Sequence, residues 1–205
     1  MSNLDQTSGT KHGTDGGSTT GGQSLARVFP PVAMKTDGTP LANSIAAASI
    51  LDASGKATIP ALDFVVPQVF LIVASGRISN IVTTPGTLTL DIRFGNVVVF
   101  NGGAVNLNAV AKTDVAWFFV AELTVRATGS GTSANLLGQA TFTSESVVGS
   151  AAGTALCASL PASAPPVGTG FDSTVNQQVD MFAKFSIANA GNSIQCHQYT
   201  FRVVA

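Results

Sequence analysis

From Lys56 onward this chain alternates with a period of two. Leu88, Leu90, Ile92 and Phe94 are interleaved with Thr87, Thr89, Asp91 and Arg93. Successive side chains of a β-strand point to opposite faces, so this pattern writes one face for a core and one that is not. It recurs where Phe119, Ala121, Leu123, Val125 and Ala127 alternate with Val120, Glu122, Thr124 and Arg126. It returns in Ala140 and Phe142, and in Val179, Met181, Ala183, Phe185 and Ile187 against Asp180, Phe182, Lys184 and Ser186. Residues 64–78 form a longer apolar run with Pro67 near its start, which suits a strand buried on both faces or a bent one. In the last strand, 193–204, the apolar parity shifts between Cys196 and Tyr199, which implies a β-bulge or a strand changing sheets.

Turn chemistry divides these runs. Gly95-Asn96 supplies the positive φ of a type II′ hairpin, and Asn101-Gly102-Gly103 reads as a further turn. About eight strands at hairpin spacing with no long helix predict an all-β fold, a two-sheet antiparallel sandwich of jelly-roll type. An up-and-down β-barrel is the alternative. Residues 41–51 (LANSIAAASIL) fit either a short helix or an extended covering segment. Pro30 and Pro31 hold the chain before them extended and off any central strand. The expected organisation is a polar Gly/Ser/Thr-rich arm over 1–24, a linker or covering segment over 25–55, and the β-sandwich over 56–205.

Charge then becomes the informative number. Asp, Glu, Lys and Arg make up 10% of the chain, against roughly 25% in ordinary domains. Hydrophobic residues make up 45%. Charged side chains are those least often buried, so a surface this poor in them is either Ser/Thr/Asn/Gly-rich or covered by other subunits. The second reading predicts a homo-oligomer. A net charge of −1 gives no electrostatic reason for nucleic-acid binding. The apolar windows are too short to span a bilayer, so no membrane association is expected. Residues 1–24 contain only Met1 and Leu4 as large apolar side chains, which is not a secretory-signal pattern and cannot support independent folding. Two cysteines, Cys157 and Cys196, make no disulfide framework and are expected to be reduced. Residues 146–171 carry no charge and include Pro161, Pro165 and Pro166, reading as a loop that docks on a neighbour. Leu4, Arg27, Phe29, Trp117, Leu156, Leu160 and Val167 are the candidate partner contacts.

Catalytic chemistry finds little support. The two histidines, His12 and His197, lie in the arm and beside Cys196. Adjacent strand residues face opposite ways, so Cys196 and His197 cannot chelate one metal; a buried thiol and a surface or interface imidazole are expected. Ser130 sits between Gly129 and Gly131 in a turn, not on a nucleophile elbow. Asp91, Glu122 and Asp180 occupy polar-face positions and read as solvated carboxylates. Gly16-Gly17 and Gly21-Gly22 match no phosphate-binding loop. Trp117, Phe118, Phe119 and Tyr199 form the one aromatic group, expected in a core or interface more than on a sugar. No enzyme activity, cofactor or metal is expected.

Several short strings resemble jelly-roll structural proteins of tailed bacteriophages. They are Phe171-Asp172-Ser173-Thr174, Val179-Asp180, and the run from Phe185 through Asn189-Ala190-Gly191-Asn192 to Ile194, with Ala74-Ser75-Gly76-Arg77-Ile78 and Ala121-Glu122-Leu123-Thr124-Val125-Arg126 upstream. The resemblance spans about residues 60–205. It implies a virion component made in the host cytoplasm: a head decoration protein, a head fibre or spike, or a tail appendage. It also implies a trimer or other homo-oligomer, with the major capsid protein or a tail or portal-vertex protein as partner. A carbohydrate-binding module on a receptor-binding fibre is the alternative expectation.

Overall fold

A computed structural model describes residues 30–81, 83–148, 157–162, 168 and 170–204. Among these the chain forms β1 (Val32–Ala33), β2 (Leu41–Ala42), β3 (Ala48–Ser49), a 3-10 turn (Ala53–Gly55), β4 (Thr58–Ile59), β5 (Val69–Asn80) and β6 (Thr87–Phe94). It continues through β7 (Val97–Asn106), β8 (Lys112–Ala127), β9 (Asn135–Ser144), β10 (Cys157–Leu160), β11 (Gln177–Phe185) and β12 (Ser193–Val203).

Two antiparallel sheets pack as a sandwich. The larger runs β1-β12-β5-β8-β9-β10 with β2 also on β12; the smaller runs β3-β11-β6-β7 with β4 also on β11. The β5/β12 and β6/β11 pairs follow the rolled pattern, first strands beside last. The middle strands do not interleave: β6–β7 and β8–β9–β10 are hairpins within a sheet.

The alternation read from the sequence sets the core. Leu88, Leu90, Ile92 and Phe94 of β6 are buried, as are Phe119, Ala121, Leu123 and Val125 of β8 and Val179, Met181, Ala183 and Phe185 of β11. Phenylalanines knit the sheets together: Phe70 of β5 lies 6.1 Å from Phe94 of β6, and Phe100 of β7 lies 6.5 Å from Phe119 of β8. Each such pair contributes about 0.5–1.5 kcal/mol beyond its buried area. The expected bulge in β12 is present: pairing with β5 shifts between Cys196 and Gln198, so His197 is the extra residue. That shift lets Cys196 and Tyr199 both face the core.

Residues 41–51 are extended, the second of the two readings. The covering segment runs past the expected boundary at 55 to Ile59, adding β1 and β2 to β12 of one sheet, and β3 and β4 to β11 of the other. Gly38 N–H donates to the Cys196 carbonyl at 2.8 Å, and Ile50 N–H to the Met181 carbonyl at 3.0 Å. A Cβ on Gly38 would sit 1.8 Å from the Ile50 carbonyl oxygen, so only glycine passes there. The segment thereby covers what would otherwise be two open sheet edges.

Three expectations are corrected. Asn101-Gly102-Gly103 is not a turn between strands but an irregularity inside β7, where pairing with β6 shifts and Gly103 takes φ +73°. Residues 146–171 are not wholly loop, because β10 pairs with β9 from Cys157 to Leu160. Asp91 and Asp180 are not solvated: they are 8% and 6% exposed. Lys56 of the covering segment reaches Asp180 at 2.7 Å, Ser49 donates to Asp180 at 2.7 Å, and Arg93 clasps Asp91 at 2.9 Å.

Candidate functional site

The outer face of the seven-stranded sheet follows from register and parity. In one row, Gln198 of β12 pairs with Ser75 of β5, Ser75 with Phe118 of β8, Phe118 with Thr143 of β9, and Thr143 with Cys157 of β10. The next row is Thr200, Val73, Val120, Thr141 and Ser159. A third is Arg202, Leu71, Glu122 and Gln139. Val69, Thr124 and Leu137 form the fourth. Two rows across five strands therefore hold no charge, and Phe118 near their middle is 48% exposed. A depression of ≈ 390 Å³ beside it is lined by Ser75, Ala116, Thr143 and Glu145.

Buried beneath Phe118 are its sequence neighbours. Trp117 and Phe119 are 2% and 0% exposed, and the Trp117 indole N–H donates to the carbonyls of Arg77 and Gln195, each at 3.1 Å. Trp117 is thus corrected from a partner contact to a core residue whose polar atom is already satisfied. Leu160 is likewise inside at 2% exposed, against the position where Gly102 lacks a side chain. Leu4, Arg27, Phe29, Leu156 and Val167 lie outside the described residues, as does the 1–24 arm. Phe118, Glu122 and Arg202 were missed as site residues. The signal was present for Phe118: an aromatic at a polar-parity position of β8 has no core to enter.

The remaining titratable groups serve structure. Asp52 and Asp172 are held below the usual carboxylate range, first by the side-chain hydrogen bonds of Ser54 and Thr174 in local turns. Burial pushes the Cys196 thiol up to about 12, and pushes the Tyr199 hydroxyl up as well. His197 Nδ1 lies 2.9 Å from Asp37 Oδ2, tying the β12 bulge to the covering segment. Cys157 is exposed and Cys196 buried, and the two are not bonded. Among the described residues no three His, Cys, Asp or Glu side chains converge as a metal site, and no helix is long and apolar enough to cross a membrane.

What this arrangement offers chemically is a flat, weakly polar surface suited to burial against another surface. Comparison with protein-family models, with curated proteins and with solved structures finds no match to this chain.

Proposed function

We propose that this chain is a non-enzymatic structural protein that assembles as a homo-oligomer through the outer face of its seven-stranded sheet, as a component of a virion. One observation supports the assembly reading above all: the two charge-free rows around Phe118 span five strands of a sheet that has no other layer on that side among the described residues. Charge is depleted at the cores of protein–protein interfaces, where aromatic side chains are enriched. The virion placement, as head decoration, fibre, spike or tail appendage, draws on the sequence strings that resemble tailed-phage structural proteins. A carbohydrate platform would call for several exposed aromatics on one face, and among the described residues this face presents Phe118 alone.

Light scattering on the purified chain at micromolar concentration tests the assembly reading. A mass that is a multiple of 20.7 kDa is expected. Phe118→Lys should lower it while leaving the circular dichroism of the sandwich intact. A mass of one chain at all concentrations overturns the reading. For the virion placement, tagged protein should co-sediment with particles from a producing host, and tag confined to the soluble fraction would refute it.

A further inference from the structure

We infer that the occupant of this face is a second copy of the same chain, packed face to face about a two-fold axis that runs along β5. This rests on the assembly reading above and specifies its geometry. In a two-fold face-to-face pair, each residue beside the axis meets the residue equally far on the other side. With the axis on β5, the β12 residues of one copy oppose the β8 residues of the other. Arg202 and Glu122 stand in one row on either side of Leu71, because Arg202 pairs with Leu71 and Leu71 with Glu122. The operation therefore sets Arg202 of each copy over Glu122 of the other, twice.

Every other row is compatible with the same operation. Thr200 opposes Val120 and Gln198 opposes Phe118, so the exposed ring is covered by the flat amide of glutamine. Val69, Leu71 and Val73, all half-buried on β5, meet their own counterparts on the axis as an apolar spine. Ala33 of β1, which pairs with Thr200, opposes Thr141 of β9. No charge faces a like charge within these rows. Arg77 lies on the axis beyond the Ser75 row, where it faces its own counterpart with its guanidinium turned aside to the Asp114 carbonyl at 3.4 Å, and Arg126 lies beyond Thr124 at the opposite end. Both fall at the rim, where twisted sheets diverge and water enters.

One further observation favours a second copy. Among the described residues neither Glu122 nor Arg202 forms an ion pair within its own chain, and both are exposed. The opposite charges that each lacks are thus carried by this same face, at mirrored positions.

The experiment is a charge exchange followed by native mass spectrometry and sedimentation velocity on the full chain. Wild type should have twice the 20.7 kDa chain mass. Glu122→Arg alone places like charges together on both sides of the axis, and so does Arg202→Glu alone; each should weaken self-association by about a hundredfold or more. An equimolar mixture of the two variants should restore a dimer containing one chain of each, since both pairs are then opposite in sign. Leu71→Cys in a Cys157→Ser background should be joined to its own counterpart by a short bismaleimide, the facing sheets being about 10 Å apart. A larger oligomer, such as the trimer implied by the phage resemblance, overturns the two-fold arrangement while leaving the assembly reading in place. So does a dimer indifferent to both charge changes. A monomer overturns both and gives the face to a different partner.

Discussion

Lys56 Nζ lies 2.7 Å from Asp180 Oδ2, joining the covering segment to the outer face of the smaller sheet. The Asp180 side chain is 8% exposed, so its carboxylate has exchanged water for Lys56, the Ser49 hydroxyl and its neighbour's amide at Met181. Lys56→Met leaves that carboxylate without its counter-charge and should destabilise the fold by about 1–3 kcal/mol. Adding Asp180→Asn should recover part of the loss. Urea denaturation of the two variants measures this, and a double variant less stable than Lys56→Met would show that the pair is not the relevant contact.

Gly76 marks a close approach of β5 to β12. A Cβ there would lie 1.9 Å from the Gln195 carbonyl oxygen, which is backbone and cannot swing away. Gly76→Ala should therefore part the strands beside the His197 bulge and cost about 3 kcal/mol or more. Gly131, whose added Cβ would meet nothing within 4 Å but whose φ is +65°, should cost less on the same substitution. Thermal melts that rank the two variants the other way would contradict this.

The two thiols should differ sharply in reactivity. Cys157 is exposed on edge strand β10, whereas Cys196 is fully buried and its thiol is pushed up to about 12. Thiolate, not thiol, attacks a disulfide reagent. At neutral pH one equivalent should be released by the native protein, with the second slower by more than about a hundredfold, and two equivalents by the denatured chain. Rapid release of two from native protein would be the contrary result.

Alkaline pH should destabilise the sandwich before it affects most exposed groups. Cys196 has an ordinary value near 9 and about 12 in the fold, and burial raises Tyr199 too. Above pH 9 the unfolded chain loses protons that the native state keeps, so stability falls as pH rises. Each fully contributing group tilts the curve by about 1.4 kcal/mol per pH unit. Denaturant midpoints should be level from pH 7 to 8.5 and decline from 9 to 11. Cys196→Ala should make the decline shallower; an unchanged slope would remove the thiol from the account.

Parity was legible in the sequence because a strand's side-chain period of two does not depend on what the strand pairs with. That is why the buried faces of β6, β8 and β11, and the extra residue between Cys196 and Tyr199, could be read before any partner strand was known. The same logic placed Glu122 on the outer side of β8, and the parity carried two residues further back reaches Phe118. Strand order was not legible, since residues such as Ser75 and Phe118 carry no mark of their pairing; non-local packing assigns it. Nor could alternation show that Asp180 is buried, because its cover comes from Lys56 and Ser49, far away in the chain. For residues 41–51, helix propensity and extended pairing were balanced locally, and the free edges of β11 and β12 tipped them to strand. Which residues face inward was determined by the sequence alone. Which outward residues stay uncovered, and so leave Arg202 and Glu122 flanking Leu71 on an open face, was decided only when distant segments met.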